Sequence, residues 1–294
     1  MSTTTTSART IHGVPLAAID RILDLALAED NPRGDITADT IVPAGATATC
    51  AVRARQAGVL SGATVFARTM EKVNPDIQVR QLVTDGERFA AGDTLLTVTG
   101  PAAGILTGER VGLNLLQRMS AIATATRVLV DEVAHTKARI VDTRKTTPGL
   151  RVLERYAVRC GGGVNHRDNL SEAFMAKDNH LALFENGPEL TAALKDVRSR
   201  LGHTTAMEVE VDSIEQLPAV LEAGVDVIML DNFDPADIPA AIELIAGRAL
   251  VEASGNINAS TVRAVAEAGV DVISSGAITH SVQAIDLGLD MVVA

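Results

Sequence analysis

The second half of the chain alternates short apolar runs with longer segments whose apolar residues recur at helical spacing. Short apolar runs bounded by turn residues predict buried strands, and the segments between them predict amphipathic helices. The predicted strands cover residues 139–141, 173–177, 207–211, 225–230, 249–253 and 270–274, and predicted helices include residues 214–222, 236–246 and 260–268. Such strict alternation indicates a parallel sheet, so we expect an α/β fold with a closed or nearly closed (β/α) barrel.

An internal repeat supports this interpretation. Residues 222–231 are EAGVDVIMLD and residues 267–276 are EAGVDVISSG. Each copy combines the end of a helix, a glycine stop and an apolar strand. The repeat therefore predicts two successive helix–strand units of the same barrel.

The first half of the chain has a different pattern. Residues 15–29 predict an amphipathic helix, residues 41–99 contain short strands with turn residues between them, and residues 104–134 predict two helices, the second starting at Ser120. Residues 147–160 predict a further helix, in which Thr147 caps the start, Pro148 occupies the first turn and Gly161 ends it. This pattern predicts a separate α/β layer before the barrel.

Composition narrows the classes of function. The chain has 294 residues, 47% of them hydrophobic and only 2% aromatic, with a formal net charge of -11. An acidic protein poor in aromatic residues is a poor general partner for nucleic acid or anionic membranes. Cys50 and Cys160 are far apart and form no CxxC motif, the first 13 residues lack an apolar signal core, and no apolar run reaches the length of a membrane span. We therefore expect a cytoplasmic protein with a disordered tail over residues 1–13.

A basic segment stands out in this acidic chain. Residues 137–177 contain nine Lys or Arg against four Asp or Glu. Arg144 and Lys145 follow one predicted strand, His166 and Arg167 follow three glycines, and Lys177 ends the next strand. Because barrel sites lie at the C-terminal ends of strands, this arrangement predicts a focused anion site.

Two triplets after the last two strands predict a second anion site. Ser254-Gly255-Asn256 and Ser275-Gly276-Ala277 are built from small residues that let backbone N–H groups approach an anion. Each triplet alone is more often an ordinary tight turn. Together, on adjacent strands and before helices, they favour a phosphate cradle.

Acidic residues follow the middle strands. Glu208, Glu210 and Asp212 alternate and so share one strand face, and Asp231 ends the next strand. One interpretation is a network of ion pairs with the bases of the early strands. The other is contact with sugar hydroxyls or with Mg²⁺ bound to pyrophosphate. The two can coexist in the empty site.

Two other classes of function need weighing. Lys177 alone could be the Schiff-base nucleophile of a lyase, but the neighbouring bases favour anion binding. Residues 85–96 resemble the strands of lipoyl or biotinyl carrier domains, yet no lysine lies between Val73 and Thr136 to accept the group. Cys160 has no base supplied by a motif, so we expect a buried helix residue, and the roles of His180 and His280 stay open.

An ordered series of motifs resembles the quinolinate phosphoribosyltransferase family from about Asp35 onward. The series is GERVGLNLLQRMSAIATAT, DTRKTTPGLR, RYAVRCGGGVNHR, KDNH, EVEVDS, LDNF, EASGNI and SSGAITHSV. The resemblance implies transfer of phosphoribose from phosphoribosyl pyrophosphate to quinolinate with decarboxylation, which gives nicotinate mononucleotide, CO₂ and pyrophosphate for NAD biosynthesis. A related enzyme that uses nicotinate or another pyridine-like acid is the alternative.

The resemblance also implies an architecture. It consists of an N-terminal α/β sandwich over residues 14–119, to which residues 281–294 return, and an incomplete or open barrel over residues 120–280 that carries the active site. The family forms homodimers in which each site faces the neighbouring N-terminal domain, so Arg110 is expected to complete the partner's site. Mg²⁺ is the expected cofactor, held through pyrophosphate and water near Glu210 and Asp231 without a direct protein ligand.

The residue roles carried over by motif are expectations of the same kind. The expected catalytic residues are Lys145, Lys177, Glu210 and Asp231. The dicarboxylate is expected to be held by Arg110, Arg144, His166, Arg167 and Lys177. The phosphoribosyl pyrophosphate is expected to contact Thr143, Lys145, Glu210, Asp231, Ser254, Gly255, Asn256, Ser275, Gly276 and Ala277. Asn256 stands where relatives often have a second glycine.

Overall fold

The computed structural model describes residues 10–11 and 13–291. Residues 1–9 and 12 of the predicted disordered tail lie outside the described residues, while Thr10–Ile11 pairs antiparallel with Val14–Pro15. The strands are β1 (Thr10–Ile11), β2 (Val14–Pro15), β3 (Thr47–Ala54), β4 (Gly58–Val59), β5 (Gln78–Gln81), β6 (Arg88–Phe89), β7 (Thr94–Pro101), β8 (Arg139–Val141), β9 (Phe174–Ala176), β10 (Met207–Val211), β11 (Val227–Asp231), β12 (Leu250–Ser254), β13 (Val272–Ser274) and β14 (Leu287–Met291).

The α-helices are α1 (Leu16–Asp30), α2 (Ile36–Ile41), α3 (Ala63–Val73), α4 (Ala102–Val133), α5 (Arg151–Cys160), α6 (Asp178–Leu181), α7 (Pro188–Arg200), α8 (Leu217–Glu222), α9 (Ile238–Ile245), α10 (Val262–Glu267) and α11 (Ala277–His280), and a 3₁₀ turn covers Ile214–Gln216. The chain folds into two compact units. The first contains residues up to 125, residues 146–162 and residues from 282 onward, and the second contains residues 126–145 and 163–281.

The first unit is built on an antiparallel sheet. Its strand order is β14-β3-β7-β5, so the last strand of the chain pairs with β3. The inner side chains of β3 and β7 pack with the apolar face of α3 and with α4 around Phe66, Met70 and Leu116, all fully buried. Both strands have eight residues, and consecutive buried residues such as Cys50, Ala51 and Val52 interrupt the alternation expected of a sheet that is covered on one side.

Helix α5 is held in this unit by Tyr156. Its hydroxyl donates to Asp85 Oδ2 at 2.7 Å. The same carboxylate accepts the backbone N–H groups of Gly62 and Ala63 at the start of α3, at 3.0 and 3.1 Å. Asp85 therefore caps one helix and anchors another.

Two helix predictions in the first unit are wrong. Residues 104–134 form the larger part of one helix, α4, because Ser120 does not cap a second one; its hydroxyl bonds the backbone of Ser61 inside the core. Helix α5 begins at Arg151 and not near Thr147, because Gly149 has φ +82° and breaks the first turn. The predicted end of α5 is confirmed, since the helix stops before Gly161.

The second unit carries a six-stranded, all-parallel sheet of order β8-β13-β12-β11-β10-β9. Helices alternate with the strands along the chain, as the periodicity predicts. The two edge strands, β8 and β9, do not pair with each other among the described residues, so the barrel is open. The predicted fold class is confirmed. No helix of the described chain combines the length and apolar character that crossing a membrane requires.

Candidate active site

The second unit has a cavity of about 290 Å³ at the C-terminal ends of its strands. Its lining residues are Thr143, Arg144, Lys145, His166, Arg167, Met175, Lys177, Met229, Ser254 and Ser274. Seven of these ten positions were predicted from the sequence, the exceptions being Met175, Met229 and Ser274. The cavity therefore gathers the cations of three separate chain segments around one small volume.

Asp142 places the loop that carries two of these residues. It is fully buried at the end of β8. Its Oδ1 accepts the backbone N–H of His166 at 2.7 Å, and its Oδ2 accepts the side-chain amide of Asn165 at 2.6 Å. Val164 bridges to Val141 alongside. The loop after the three glycines is thus held against the strand that leads to Arg144.

Arg144 and Arg167 share the cavity wall. Burial and the charge of Arg144 together lower the pKa of Arg167. The Arg167 guanidinium donates one hydrogen bond to the Ala173 carbonyl at 2.9 Å. Two guanidinium groups on one cavity wall favour an anion between them.

Lys177 follows β9 and meets Glu210 on the neighbouring strand β10. The Lys177 ammonium donates a hydrogen bond to Glu210 Oε2. The lysine side chain is 42% exposed, whereas the glutamate side chain is only 10% exposed. The Lys177 backbone N–H is bonded to His180 Nδ1 at 3.0 Å, which fixes the start of α6. An ammonium held in an ion pair has no lone pair for attack on a carbonyl, so this geometry does not favour the lyase interpretation.

His166 lies above two buried glutamates on the inner face of the sheet. Its Nε2 is 3.3 Å from Glu208 Oε2 and 3.4 Å from Glu252 Oε2. Its Nδ1 faces the backbone N–H of Arg167 at 2.6 Å. The remaining oxygens, Glu208 Oε1 and Glu252 Oε1, are buried and have no hydrogen-bond partner in the described part of the chain.

The position of the proton in this cluster follows from the geometry. Burial opposes charge on His166, but hydrogen bonds and charge from Glu208 and Glu252 outweigh it and raise its pKa to about 10. Burial also raises the pKa of Glu208. An imidazolium has no lone pair for the Arg167 N–H, and at 2.6 Å that lone pair is required. The raised pKa alone favours an imidazolium, but the Arg167 N–H requires a lone pair on Nδ1, and on that geometry we assign a neutral Nε2–H tautomer to the ring.

Asp231 lies at the end of β11, in register with Ser254 on β12. Its Oδ2 accepts the side-chain amide of Asn232 at 2.7 Å, and Asn232 Oδ1 accepts the amide of Asn256 at 3.3 Å. Gly255 has φ +96°, and a Cβ there would lie 2.2 Å from Asn232 Oδ1. Only glycine fits this close approach.

The second small-residue triplet lies beside Lys145. Ser275 is buried, and its hydroxyl donates to the Ile257 carbonyl at 3.1 Å. A Cβ on Gly276 would lie 2.8 Å from Lys145 Cδ, and Thr279 Oγ1 donates to the Lys145 carbonyl at 2.8 Å. The helix start expected after the first triplet is a correction, because α10 begins only at Val262, whereas the short helix α11 begins at Ala277 as expected after the second triplet. A longer loop separates the first triplet from α10. A phosphate bound there would therefore contact backbone N–H groups of the loop and not of the helix.

The remaining predicted residues lie elsewhere. Arg110 is an exposed residue of α4 in the first unit. Asp212 lies past the end of β10 and is exposed. It takes part neither in the contact of Glu208 with His166 nor in that of Glu210 with Lys177. Cys160 ends α5, and burial raises the pKa of its thiol, which agrees with the prediction that it is not a nucleophile.

The carboxylates limit how a metal ion could bind. Glu210 is already paired with Lys177, and Asp231 is partly used by Asn232. Mg²⁺ prefers six oxygen ligands and keeps several waters. The two acids fit an ion carried mainly by substrate oxygens and water. His166, Glu208 and Glu252 also offer ligand atoms within 4.8 Å of one another, a set that suits a transition metal, but the ring Nε2 faces the carboxylates as a hydrogen-bond donor.

Two family models match nearly the whole chain. The N-terminal domain of quinolinate phosphoribosyl transferase matches residues 35–120, and its C-terminal domain matches residues 122–290. The chain belongs to the quinolinate phosphoribosyltransferase family.

Individual members of the family agree with this assignment. The carboxylating nicotinate-nucleotide pyrophosphorylase of Mycobacterium leprae is 43% identical over 272 residues, which cover 90% of this chain and 94% of that protein. The solved nicotinate-nucleotide pyrophosphorylase from Francisella tularensis is 36% identical with a TM-score of 0.88, covering 96% of this chain and 99% of that chain. Human nicotinic acid phosphoribosyltransferase, at 15% identity and a TM-score of 0.60 over 95% of this chain and 74% of its own, shares the fold alone.

The sequence analysis of this quinolinate phosphoribosyltransferase did not identify several residues at or beside the cavity. Glu252 carried a signal, because an acid in the middle of an apolar strand is rarely left without a partner. Asp142 carried a similar one at the end of β8. Met175 and Met229 look like ordinary strand residues, so nothing in their sequence context marks them as lining.

Proposed function

We propose that this protein transfers the phosphoribosyl group of phosphoribosyl pyrophosphate to the ring nitrogen of quinolinate and releases one carboxylate as CO₂. The products are nicotinate mononucleotide, CO₂ and pyrophosphate. The observation that carries the proposal is the convergence of Arg144, Arg167 and Lys177 on one cavity of about 290 Å³, in a chain of this family. A dicarboxylate needs several cations to leave water, and each charge-assisted hydrogen bond contributes roughly 1.5–3 kcal/mol.

The acceptor is held before it reacts. Arg144 and Arg167 are proposed to bind the carboxylates, Lys177 to exchange its pairing with Glu210 for one of them, and His166 to complete the same wall. In the first step, the ring nitrogen forms a bond to the anomeric carbon while the bond to pyrophosphate breaks. Lys145 is proposed to bind the leaving pyrophosphate, because this residue lies in the loop after β8 and lines the cavity.

The transition state of this step develops positive charge on the ribosyl ring. Glu210 and Asp231 end neighbouring strands and are proposed to contact the ribose hydroxyls and stabilise that charge. In the second step the bond between the ring carbon and CO₂ breaks, and the electron pair stays on the carbon beside the ribosylated nitrogen. A proton from solvent then completes nicotinate mononucleotide. Arg144 and Arg167 keep the ring oriented throughout.

The 5′-phosphate is proposed to lie against the two small-residue triplets and Thr143. Ser254 lines the cavity, Gly255, Gly276 and Ala277 are half-buried, and Asn256 is exposed. Ser275 contributes through its backbone, because its hydroxyl is used by Ile257. Mg²⁺ is the proposed cofactor, held by pyrophosphate oxygens and water near Glu210 and Asp231. When bound, it neutralises charge on the leaving group.

Two further proposals concern the assembly and its location. The active protein is proposed to be a homodimer in which the exposed Arg110 of one subunit completes the site of the other. The acidic composition and the two separated cysteines favour the cytoplasm as its compartment. Neither nucleic acid nor membrane is proposed as a partner.

A direct assay tests the reaction. Purified protein is incubated with phosphoribosyl pyrophosphate and Mg²⁺, with quinolinate in one reaction and nicotinate in another. We expect CO₂ and nicotinate mononucleotide from quinolinate only. Turnover of nicotinate instead would contradict the dicarboxylate assignment while keeping the phosphoribosyl donor, and inactivity with both acids would contradict the proposal as a whole.

A further inference from the structure

His166 lines the cavity, and the two glutamates that contact it, Glu208 and Glu252, have no part in the reaction proposed above. Both ring nitrogens of His166 are engaged with protein groups. Nδ1 faces the Arg167 N–H at 2.6 Å, and Nε2 lies between the two carboxylates. In this arrangement neither nitrogen is free to bind a substrate carboxylate.

We propose that Glu208 and Glu252 are positioning residues that hold His166 by its Nε2–H, so that its Nδ1 fixes the backbone of Arg167 at the dicarboxylate pocket. The inference rests on the proposed function for the identity of the dicarboxylate. It assigns roles to two glutamates outside the set that contacts substrate, and it makes His166 act through Arg167.

Burial is the first argument for a fixed cluster. Glu208 is 5% exposed and Glu252 is 3% exposed, and each has one oxygen without a partner in the described residues. Burying such groups is unfavourable unless they are paired or protonated. The buried carboxyl groups therefore add little to the stability of the fold. Their role is to orient the His166 imidazole.

Connectivity is the second argument. The backbone N–H of His166 is held by Asp142, and the next N–H along the chain, that of Arg167, is held by the His166 ring. The ring is therefore a spacer between the buried glutamates and the backbone that carries the Arg167 guanidinium. Rotation of the ring would remove the acceptor of that N–H and release the arginine.

The charged groups around the cluster agree with a neutral ring. Arg167 and Arg144 face the cavity side, and the two carboxyl groups face the sheet side. The site therefore sets two carboxyl groups against two guanidinium groups across the imidazole ring. An additional charge on the imidazole is then not needed to balance the site.

Matched double variants separate positioning from charge. Glu208→Met/Glu252→Met removes both acceptors at nearly constant volume, and Glu208→Gln/Glu252→Gln keeps an acceptor but removes the charge. We expect the Met pair to raise the KM for quinolinate tenfold or more with a kcat and a KM for phosphoribosyl pyrophosphate within about threefold of wild type, and the Gln pair to restore the KM for quinolinate. Asp212→Asn, an exposed acid after the same strand, is the control.

The outcomes that overturn the proposal are distinct. A Gln pair as impaired as the Met pair would show that charge matters and not the acceptor. A Met pair with wild-type KM values, or with equal losses for both substrates, would remove the specific link to the dicarboxylate.

A spectroscopic measurement keeps the test independent of activity and of variant folding. In wild-type protein with ¹⁵N-labelled histidine, His166 is assigned by the loss of its signals in His166→Asn. We expect the chemical shifts of a neutral ring with its proton on Nε2, and an imidazolium would overturn the proposal. Wild-type protein that shows this tautomer but no turnover of quinolinate would contradict the proposed function and leave the positioning cluster standing.

Discussion

The Lys177 ammonium and the Glu210 carboxylate form an ion pair between the C-terminal ends of two neighbouring strands, β9 and β10. The carboxylate is nearly buried and the ammonium is partly exposed. Before substrate binds, Glu210 is therefore paired with Lys177, the cation that is proposed to bind the dicarboxylate. After exchange, Glu210 becomes available to the ribose.

The first prediction follows from this exchange. Lys177→Ala should lower kcat/KM for quinolinate at least about a hundredfold while the protein stays folded, as is typical when one preorganised donor is lost. Glu210→Gln should instead lower kcat, because the acid that stabilises the ribosyl charge is lost, and leave the KM for quinolinate unchanged or reduced. Steady-state kinetics with each substrate varied in turn measure both.

Lys195→Ala is the matched control for the lysine change. Lys195 is exposed on α7 and pairs with Glu222 at 3.0 Å. Its variant should keep wild-type kinetics. A Lys177→Ala enzyme close to wild type would remove Lys177 from the mechanism.

The second prediction concerns Gly276. Its alanine variant would place a Cβ 2.8 Å from Lys145 Cδ and 3.0 Å from His280 Cδ2. Because a lysine side chain can move aside, we expect the thermal midpoint of unfolding to change little and the KM for phosphoribosyl pyrophosphate to rise about tenfold, equivalent to about 1.4 kcal/mol.

Gly202→Ala provides the comparison, since its Cβ would meet only Thr205 Oγ1 at 3.5 Å. It should leave both KM values unchanged. If Gly276→Ala behaves in the same way, Lys145 does not meet the phosphoribosyl pyrophosphate in the position described.

The third prediction tests the proposed dimer. Arg110→Ala and Lys177→Ala subunits should each be inactive alone. Mixed subunits should recover about a quarter of wild-type activity, because half of the dimers are hybrids and one of their two sites has both residues. Differently tagged subunits, co-purified to demonstrate heterodimers, provide the sample. Heterodimers without recovery would contradict the placement of Arg110 in the partner's site.

The fourth prediction is a pH dependence of stability. Hydrogen bonds from Arg198 lower the pKa of Asp226 in the folded state, and the bidentate pair has N–O distances of 2.8 Å. A carboxyl whose folded-state pKa is lowered stabilises the fold above its unfolded pKa and loses that contribution as pH falls through the folded value. Asp226→Asn should therefore destabilise the protein by roughly 0.5–1 kcal/mol at pH 7, as is usual for a half-exposed pair.

Urea unfolding at pH 7 and at pH 3 measures this difference. The gap between wild type and Asp226→Asn should shrink at the lower pH. Lys195→Ala, which breaks a more exposed pair, should change stability by less at either pH. A gap for Asp226→Asn that is independent of pH would show that the pair with Arg198 does not stabilise the fold.

The alternation of strands and helices was sufficient to predict the parallel sheet and the edge on which its polar residues gather. Period and punctuation are local properties, so β8 and β10 were predicted with their correct ends. The continuous helix α4 was not predicted, because Ser120 resembles a helix cap in the sequence. Only the folded core shows that the Ser120 hydroxyl accepts a hydrogen bond from the Ser61 N–H.

Most residues that line the cavity were predicted, whereas the contacts among the buried residues next to it were missed. Arg144 and Lys177 stand at strand ends, a position that itself indicates function in a barrel. Glu252 acquires its role only from Glu208 and His166, which come from distant parts of the chain. Pairings of that kind depend on register across the sheet, and the sequence pattern does not contain the register.

The hydrogen bond between Tyr156 and Asp85 makes the protein its own optical probe. The chain has one tyrosine and no tryptophan, so its intrinsic ultraviolet emission comes from a single ring. That ring is buried in the first unit and donates to a carboxylate, an arrangement that quenches a phenol in its excited state. Emission should brighten when α5 leaves Asp85, which lets opening of the first unit be timed without an attached dye.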